Sequence, residues 1–528
     1  MTGATPLRTS PLTYQRYPLL DKGTSMTRLS RRSFVGALAS SAMTPLPSHG
    51  AQEKILKIGL GGLPTQKGNA FSNIQSPSIL VTGGIFDGLT RVNMSGAVEP
   101  WLATHWEALD DLTWRFTLRD DVVFSNGRPF NAAAVAHTAN YLSGPGPQME
   151  GLRRDFRFLS GAKVVDARTV DIMTKVPVPM LPRYASVLLI VEPDAWQSMG
   201  IEQFSLTPVG TGPFVIERWE AARAIARASS SSWRPMQVDG VEFIVLPDPS
   251  SRVQAVLSGG LDAAYQTAPE DFDLLRNAGG DVTSVKDGSI FSIMLQYGQG
   301  RDTPLNDIRV RHALNYAVDK QTIADVLLDG LAAVASQPAV QEAYGFDPTL
   351  APYAYDPARA RQLLSEAGYA DGFTMTLETS GGGTNGRSIV QRVADDLNRI
   401  GIQVDVQQKP VMSFLMDFVR GRIDADSFTL QWGSYPILDS IQMTNINSCR
   451  KSEPWYCDEE IQPTIEAAWM ETDPDVALAL RHEVMRHYRD DAASILLHEN
   501  VGFIGLAPRV QGFEQTFGYV SYETVRLD

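Results

Sequence analysis

Segment 380–388, SGGGTNGRS, carries residue types that can bind a phosphate group. It lies between a predicted strand and a predicted helix and matches a P-loop in spacing, except that Arg387 stands where that motif has lysine. Because arginine does not replace the compact charge of that lysine well, we do not expect nucleotide hydrolysis. The loop can still present backbone N–H groups and a helix N-terminus to an anionic group, or it can be a flexible turn only.

Segment 481–487, RHEVMRH, contains histidines that could bind zinc, but their spacing argues against it. His482 and His487 are five residues apart, whereas a zinc-protease helix needs its histidines four apart on one face. We therefore expect a solvated helix face. The sequence has no Gly-x-Ser-x-Gly motif, and neither cysteine has a histidine nearby. No catalytic residue, metal site or cofactor is predicted.

The two cysteines, Cys449 and Cys457, stand eight residues apart in the polar stretch SCRKSEPWYCDE. In an oxidising compartment such a pair is typical of a local disulfide bond that closes a surface loop. A metal site would need more soft ligands close by in the sequence. We therefore predict a disulfide bond between them.

Length and charge limit the possible functions. A chain of 528 residues is too long for one hydrophobic core, so two or three domains are expected. Its 43% hydrophobic and 20% charged residues are typical of a soluble globular protein. The net charge of −14 argues against nucleic acid or an anionic membrane surface as a partner.

Residues 1–50 have the features of an export signal. In TRLSRRSFVGALASSAM, the pair Arg31 and Arg32 precedes a short apolar run and then small residues, the pattern of a cleaved leader. The segment around the pair matches the twin-arginine type, although a chance Arg-Arg remains an alternative. Cleavage is expected near Gly50, and Met26 could be the true start. With no cysteine near that point, we expect no lipid anchor and a periplasmic location.

Strand and helix patterns alternate along the rest of the chain. EKILKIGL, FTMTLETS and IQVDVQ read as strands, and RSIVQRVADDLNRI as a helix. Asn131 is expected to cap one helix, and Asp356 with Pro357 to begin another that ends before Gly368. The alternation after residue 290 predicts βαβ units and hence an α/β fold with a mainly parallel sheet.

Six blocks occur in an order that resembles the family 5 extracellular solute-binding proteins, the dipeptide, oligopeptide, glutathione and nickel binders of ABC importers. The blocks extend from the region that begins GGIFDGLTRV to DADSFTLQWG, and they include PVGTGPFVIERW, DIRVRHALNYAVDK, DPARARQLLSEAGYADGF and LNRIGIQVDV. Each block is weak alone, whereas the order is specific. The resemblance covers nearly all of the chain after the signal.

The resemblance implies an α/β fold of the periplasmic binding protein type (class II), with two lobes that close on a ligand around a hinge. The expected limits are 51–287 for lobe I, with an inserted subdomain at about 88–206, then 288–495 for lobe II and 496–528 for a return to lobe I. The partners it implies are a peptide or small-molecule ligand and the permease subunits of an importer. A monomer is expected.

By resemblance, the ligand residues follow two strands of lobe II. They are Trp432, Gly433, Ser434, Tyr435 and Asp439 after one strand, and Ser380, Gly381, Gly382, Gly383, Thr384 and Asn385 after the other. Trp432 is expected to be an apolar wall of the cleft, with packing inside the lobe as the alternative.

Two departures from the family pattern bear on the ligand. Peptide-binding relatives have an aspartate where this chain has Tyr435, and the arginine of the dipeptide binders falls near Ser380. A zwitterionic dipeptide is therefore disfavoured, because buried charges need counter-ions. A peptide held by backbone pairing, an opine- or sugar-like conjugate, or a small amide fits better, and nickel is not expected. The alternatives to import are a chemoreceptor or adaptor, and a periplasmic hydrolase.

The export signal generates the first testable prediction. Changing Arg31→Lys together with Arg32→Lys should block export, because the receptor of this pathway reads the arginine pair. Cell fractionation and immunoblotting would then find the precursor in the cytoplasm. Unchanged accumulation in the periplasm would contradict the twin-arginine assignment.

Overall fold

The structure is a computed structural model, and it describes residues 53–72, 77–146, 150–381, 384–451, 453–517 and 519–528. The predicted export signal at 1–50, with Arg31 and Arg32, lies outside the described residues. Gly382 and Gly383 of the predicted glycine loop also lie outside them.

The largest element is a ten-stranded sheet that contains strands from both halves of the chain. In spatial order its strands are β14 (Ile402–Gln408), β13 (Phe373–Thr379), β15 (Ser427–Gly433), β12 (Asp281–Leu295), β16 (Ser494–Leu506), β11 (Ala263–Tyr265), β1 (Ile55–Leu60), β10 (Gly240–Val245), β9 (Arg223–Ala228) and β8 (Phe214–Trp219). The strands predicted from EKILKIGL, FTMTLETS and IQVDVQ are confirmed as β1, β13 and β14.

The strand directions divide this sheet into two parallel groups joined by two long strands. β1 is parallel to β10 and β11, and β13 is parallel to β14 and β15. β12 and β16 are antiparallel to each other and to the strands beside them. The α/β fold is confirmed, whereas the mainly parallel sheet expected after residue 290 is mixed, because β12 and β16 run through both groups.

The remaining strands form smaller sheets. A four-stranded sheet has the order β4 (Ala103–Asp110), β5 (Thr113–Leu118), β7 (Thr169–Thr174) and β6 (Leu159–Val164). Three two-stranded pairs are β2 (Thr90–Val92) with β3 (Val98–Pro100), β17 (Val510–Gln511) with β20 (Arg526–Leu527), and β18 (Gln515–Thr516) with β19 (Tyr519–Val520). The four-stranded sheet lies inside the segment predicted as an inserted subdomain.

Helices cover the sheets. They are α1 (Ser78–Thr82), α2 (Ala132–Ser143), α3 (Gly151–Asp155), α4 (Leu181–Tyr184), α5 (Pro193–Leu206), α6 (Pro249–Leu257), α7 (Phe272–Asn277), α8 (Ile308–Ala317), α9 (Lys320–Thr322), α10 (Pro357–Glu366), α11 (Gly386–Asn398), α12 (Val411–Val419), α13 (Gln462–Met470) and α14 (Pro474–Asp490). A π-helical turn, Ile323–Leu327, follows α9. Among the described residues, none of the helices combines the length and the apolar character needed to cross a membrane.

Local side chains explain where helices begin. Asn131 Oδ1 accepts hydrogen bonds from the backbone N–H of Ala133 and Ala134, which satisfies N–H groups that have no partner inside α2. Asp356 caps α10 in the same way, through the N–H of Arg359. Both predicted caps are confirmed.

The apolar core is divided in the same way as the sheet. One cluster packs around β1 and β10 and includes Phe243 and Ile504, and two others pack around β13 and β15 and include Leu377 and Phe428. We call the first part lobe I and the second lobe II. The limits predicted for these lobes from the sequence stay predictions.

A disulfide bond joins Cys449 and Cys457, whose Cα atoms are 4.5 Å apart. Inside the loop that it closes, Trp455 is buried and donates its Nε1–H to Asn447 Oδ1 at 2.9 Å. The ring of Trp455 lies 6.0 Å from that of Trp432. The disulfide loop therefore packs against the core of lobe II.

Candidate functional site

In each lobe, the parallel strands end at a common edge. In lobe I, Leu60 of β1 pairs with Val245 of β10, and both are the last residues of their strands. In lobe II, Thr379 of β13 pairs with Gln408 of β14, again the last residue of each. Ligands of open α/β sheets bind outside the carboxyl ends of parallel strands, so these two edges are the first candidates for a site.

The two long strands connect one edge to the other. Ile504 of β16 pairs with Tyr265, the last residue of β11, and with Thr283 of β12. Further along β12, Ser289 pairs with Gly433, the last residue of β15. At about 3.3 Å per residue, the stretch between Thr283 and Ser289 spans about 15–20 Å. The edges thus face each other across an interlobe cleft whose floor is β12 and β16.

The floor of the cleft carries a carboxylate that the sequence did not identify as a site residue. The regular pairing of β12 with β16 is interrupted between Lys286 and Ile290, and Asp287 lies in this irregular stretch. Its side chain accepts hydrogen bonds from Ser289 N–H at 3.0 Å, Ser289 Oγ at 2.6 Å and Asn500 Nδ2 at 2.7 Å. These contacts hold the carboxylate in one place.

Asp287 is exposed to solvent and lies where β12 passes from lobe I to lobe II. The surrounding protein removes it partly from bulk water and raises the pKa of Asp287 to about 6, which the hydrogen bonds from Ser289 and Asn500 only partly oppose. The sequence signal was the Asp287-Gly288 pair inside a strand, a pattern typical of a turn or bulge.

A second charged group lies on the same floor. Lys286 Nζ donates to Glu342 Oε1 at 2.5 Å and lies 3.6 Å from Glu499 Oε2. Burial raises the pKa of Glu499, and the hydrogen bond from the N–H of Gln341 and the charge of Lys286 oppose that shift. Lys286, Glu342 and Glu499 form a charged cluster, which connects both long strands to the segment that contains Glu342.

The described residues of the glycine loop, Ser380, Gly381, Thr384 and Asn385, follow β13 at the lobe II edge. Thr384 Oγ1 donates to the carbonyl oxygen of Val501 at 2.8 Å, which attaches the loop to the floor strand β16. Asn385 has a φ of +54° and donates its Nδ2–H to the carbonyl oxygen of Leu327 at 2.7 Å. Ser380 and Gly381 are half-buried.

A cavity of about 520 Å³ adjoins the glycine loop on the side of α11. Its lining includes Arg387 and Ser388 of α11, together with Thr322 and Val326 from the segment after α8. Arg387 is exposed. This volume is within the range of small-ligand pockets, and its lining carries the guanidinium groups of Arg387 and Arg392 and the carboxylate of Asp395.

The residues after β15 have different surroundings from one another. A side chain added at Gly433 would meet open space, and Ser434 is buried, with an Oγ that has no hydrogen-bond partner among the described residues. Tyr435 is half-buried, packs against the cores of both lobes, and its burial raises its pKa. Gly433 therefore borders the cleft where β15 ends, whereas the side chain of Ser434 is enclosed by protein.

Trp432 is 1% exposed and packs inside lobe II. Such packing was the alternative to a place in the wall of the cleft. Its Nε1–H donates to Ser494 Oγ at 2.9 Å, and its ring lies 5.4 Å from that of Tyr488. Its predicted contact with a ligand stays a prediction, and in this structure its contacts are those of a core residue.

Asp439 is fully buried and forms an ion pair. Both its oxygens accept hydrogen bonds from Arg481, at 2.9 and 2.8 Å, and Oδ1 also accepts from the N–H of Ile441. Arg183 of α4 donates to the carbonyl oxygen of Ile437 just before it. This network holds the turn after β15, and sequence reasoning missed Arg481 because it is distant in the chain.

The lobe I edge depends on a buried arginine that the sequence also did not reveal. Arg252 of α6 donates to the carbonyl oxygens of Leu246 and Tyr265 and to Oε1 of Gln266. It therefore connects the ends of β10 and β11. A side chain added at Gly62, just past β1, would meet open space, as at Gly433 on the opposite edge.

The Asp439–Arg481 pair generates a stability prediction. Asp439→Asn should lower the free energy of unfolding by about 3–5 kcal/mol, because it leaves a buried guanidinium without its counter-charge. Urea denaturation of the purified protein would measure this loss. The exposed Asp424 is a matched control, and Asp424→Asn should change the free energy of unfolding by less than about 0.5 kcal/mol. Equal stability of the two variants would contradict the structural role of Asp439.

Known proteins share this architecture. The "Glutathione-binding protein GsiB" of Salmonella typhi is 28% identical over 393 residues, which cover 72% of this chain and 74% of that protein. A structure of DppA from Helicobacter pylori in complex with the peptide STSA aligns with a TM-score of 0.72 at 20% identity and covers 90% of this chain and 98% of that one. AgaA from A. tumefacien R10 in complex with agropinic acid aligns with a TM-score of 0.71 at 20% identity, over 90% of this chain and 99% of that one.

The family match covers most of the described chain. Residues 97–453 match the family described as bacterial extracellular solute-binding proteins, family 5 Middle. This range includes the four-stranded sheet, the long strand β12 and the strand edge of lobe II. The chain therefore belongs to the family 5 bacterial extracellular solute-binding proteins.

Proposed function

We propose that this protein is the periplasmic substrate-binding component of an ABC importer. It captures a solute in the interlobe cleft and delivers it to a membrane permease. The observation that carries the proposal is that the carboxyl ends of two sets of parallel strands face each other across the floor formed by β12 and β16. Membership of the solute-binding family supports it.

The ligand that we propose is a peptide-like or small organic solute with charged groups. Asp287 lies on the floor of the cleft, and Arg387, 100 residues further along the chain, lines the cavity beside α11 that adjoins the glycine loop. These two charges lie at other positions than those used by dipeptide binders, so they can suit a solute of different shape. Relatives whose names or titles include glutathione, a peptide and agropinic acid support this range of ligands.

Further parts of the proposal concern location and mode of action. The protein is exported by a twin-arginine signal that contains Arg31 and Arg32, has no lipid anchor, acts as a monomer and is not an enzyme. Gly382 and Gly383 of the glycine loop are proposed to contribute backbone N–H groups to the ligand, together with Gly381. A chemoreceptor or adaptor role would use the same cleft, and adjacent permease and ATPase genes would favour import.

A ligand panel tests the proposal. The purified protein is heated with glutathione, di- and tripeptides, nickel with histidine, or agropinic acid, and its melting temperature is recorded. A ligand that binds only the folded state stabilises it by about 2.7 kcal/mol when the free ligand concentration is one hundred times the Kd. This stabilisation raises the melting temperature. Mass spectrometry of the same mixtures checks for turnover. Product formation would contradict a pure binding role, and no shift with any member would contradict a ligand of this class.

Asp287 generates a pH-dependence prediction. If its carboxylate faces an ammonium group of the ligand, affinity should fall as the pH drops through about 6, because protonation removes the negative charge. At pH 5 the loss should be about tenfold relative to pH 7.5, since one pH unit below the pKa leaves about a tenth of the groups charged. Isothermal titration calorimetry at both pH values, with the ligand identified by the panel, measures this change in affinity.

Asp287→Asn should weaken that affinity at pH 7.5 and remove its dependence on pH near 6. Asp281 begins the same strand, at the end far from the lobe II edge, and is also exposed. Asp281→Asn is therefore the matched control, and it should keep the wild-type affinity at pH 7.5 and the wild-type dependence of affinity on pH. An unchanged pH profile in Asp287→Asn would assign the dependence to the neighbouring Lys286 and Glu499 instead.

A further inference from the structure

Helix α12 exposes an apolar face that the core of lobe II does not use. Two of its phenylalanines face inward, since Phe414 and Phe418 are buried and lie 6.4 and 6.1 Å from the ring of Phe428. The exposed apolar residues of the same helix are Val411 at 53%, Met412 at 70%, Leu415 at 43%, Met416 at 42% and Val419 at 65%.

These five residues form one continuous stripe, which we call the α12 face. At about 100° per residue, they fall within an arc of about 140° on the helix, beside the inward arc and not opposite it. Large apolar side chains are exposed singly on most soluble proteins, whereas a continuous stripe marks an interaction site. This stripe therefore makes the α12 face a candidate contact surface.

The position of the α12 face connects it to the cleft. α12 begins at Val411, three residues after Gln408 ends β14 at the lobe II edge. This edge borders the cleft from which a solute is released. A partner that receives the solute would therefore lie within reach of the first turn of α12, where Met412 is the most exposed residue of the stripe.

The size of the α12 face argues for a transient partner. A nine-residue helix is about 14 Å long and about 10 Å wide, whereas a stable dimer buries about 800 Å² on each subunit. The face is too small to hold two copies together. Methionine side chains adapt to different surfaces, which suits a contact that forms and dissociates in each transport cycle.

The charges around the α12 face argue for a protein surface and against lipid. Exposed Arg420 and Arg422 follow the helix, and the exposed Asp424 and partly exposed Asp417 lie among them. An anionic lipid surface would favour an excess of basic residues, and the whole chain has a net charge of −14. An apolar centre with a rim of both charges is typical of a protein–protein contact.

We propose that the α12 face docks on an apolar surface of the membrane permease when the solute is delivered. This proposal rests on the proposed import function and names the part of lobe II that the permease contacts. The hydrophobic contact would then be independent of the residues that hold the solute, which lie on the cleft floor and in the glycine loop.

The test measures docking apart from solute binding. Fluorescently labelled protein is titrated with nanodiscs that contain the permease and ATPase subunits of its importer, and with empty nanodiscs. Met412→Glu and Val419→Glu should each weaken binding to the loaded nanodiscs about tenfold or more, since a tenfold change is about 1.4 kcal/mol and burial of one such side chain contributes about 1.5–3 kcal/mol. Met412→Gln keeps the side chain uncharged and should have a smaller effect.

Val476→Glu is the matched control, because Val476 is 46% exposed on a different helix of lobe II, α14. It should leave docking unchanged, and all variants should keep the melting temperature and the solute affinity of the wild type. A change in solute affinity in Met412→Glu would assign the α12 face to the cleft and overturn the proposal.

The other outcomes are equally decisive. Equal docking of the wild type and the α12 variants, or equal binding to empty nanodiscs, would overturn the proposal. So would a concentration-dependent dimer of the wild type, measured by light scattering, that Met412→Glu abolishes. If the protein docks on the permease but binds no solute of the panel, the proposed ligand class alone is overturned. If it binds a solute but does not dock, the docking role of the α12 face alone is overturned.

Discussion

The pairing of β12 with β16 is the constraint on which the rest of the structure depends. These strands hydrogen-bond to each other through both lobes, from Asp281 with Leu506 to Met294 with Ser494. Because one side of the pair continues into β11 and the other into β15, each lobe is built outward from the same two strands. The distance between the two strand edges, and therefore the size of the cleft, follows from the length of this pair.

The interruption in that pairing places polar chemistry at the centre of the molecule. A regular ladder would have paired every backbone group between Lys286 and Ile290, whereas the extra residues bring Asp287 out into the cleft. Ser289 and Asn500 then hold its carboxylate. The irregular stretch of β12 lies where this strand passes from one lobe to the other.

The segment after β15 shows how strongly distant parts of the chain determine the surroundings of residues that the sequence assigned to a ligand site. Trp432, Tyr435 and Asp439 were expected around a ligand, but Trp432 lies in the core and Asp439 is neutralised by Arg481. Their contacts come from α4, α14 and the disulfide loop, all remote in sequence. Gly433, which has no side chain, remains beside the open cleft, whereas Ser434 is buried.

The sequence by itself determined the fold class, the strands, the helix caps at Asn131 and Asp356 and the family, because these depend on periodicity and on neighbours a few residues away. Tertiary structure alone decided which polar groups meet. Asp287 joins Asn500, Asp439 joins Arg481 and Thr384 joins Val501 across 42 to 213 residues of chain. A charge is anchored or neutralised by whatever the fold brings within about 3 Å, and single-sequence patterns do not contain that distance.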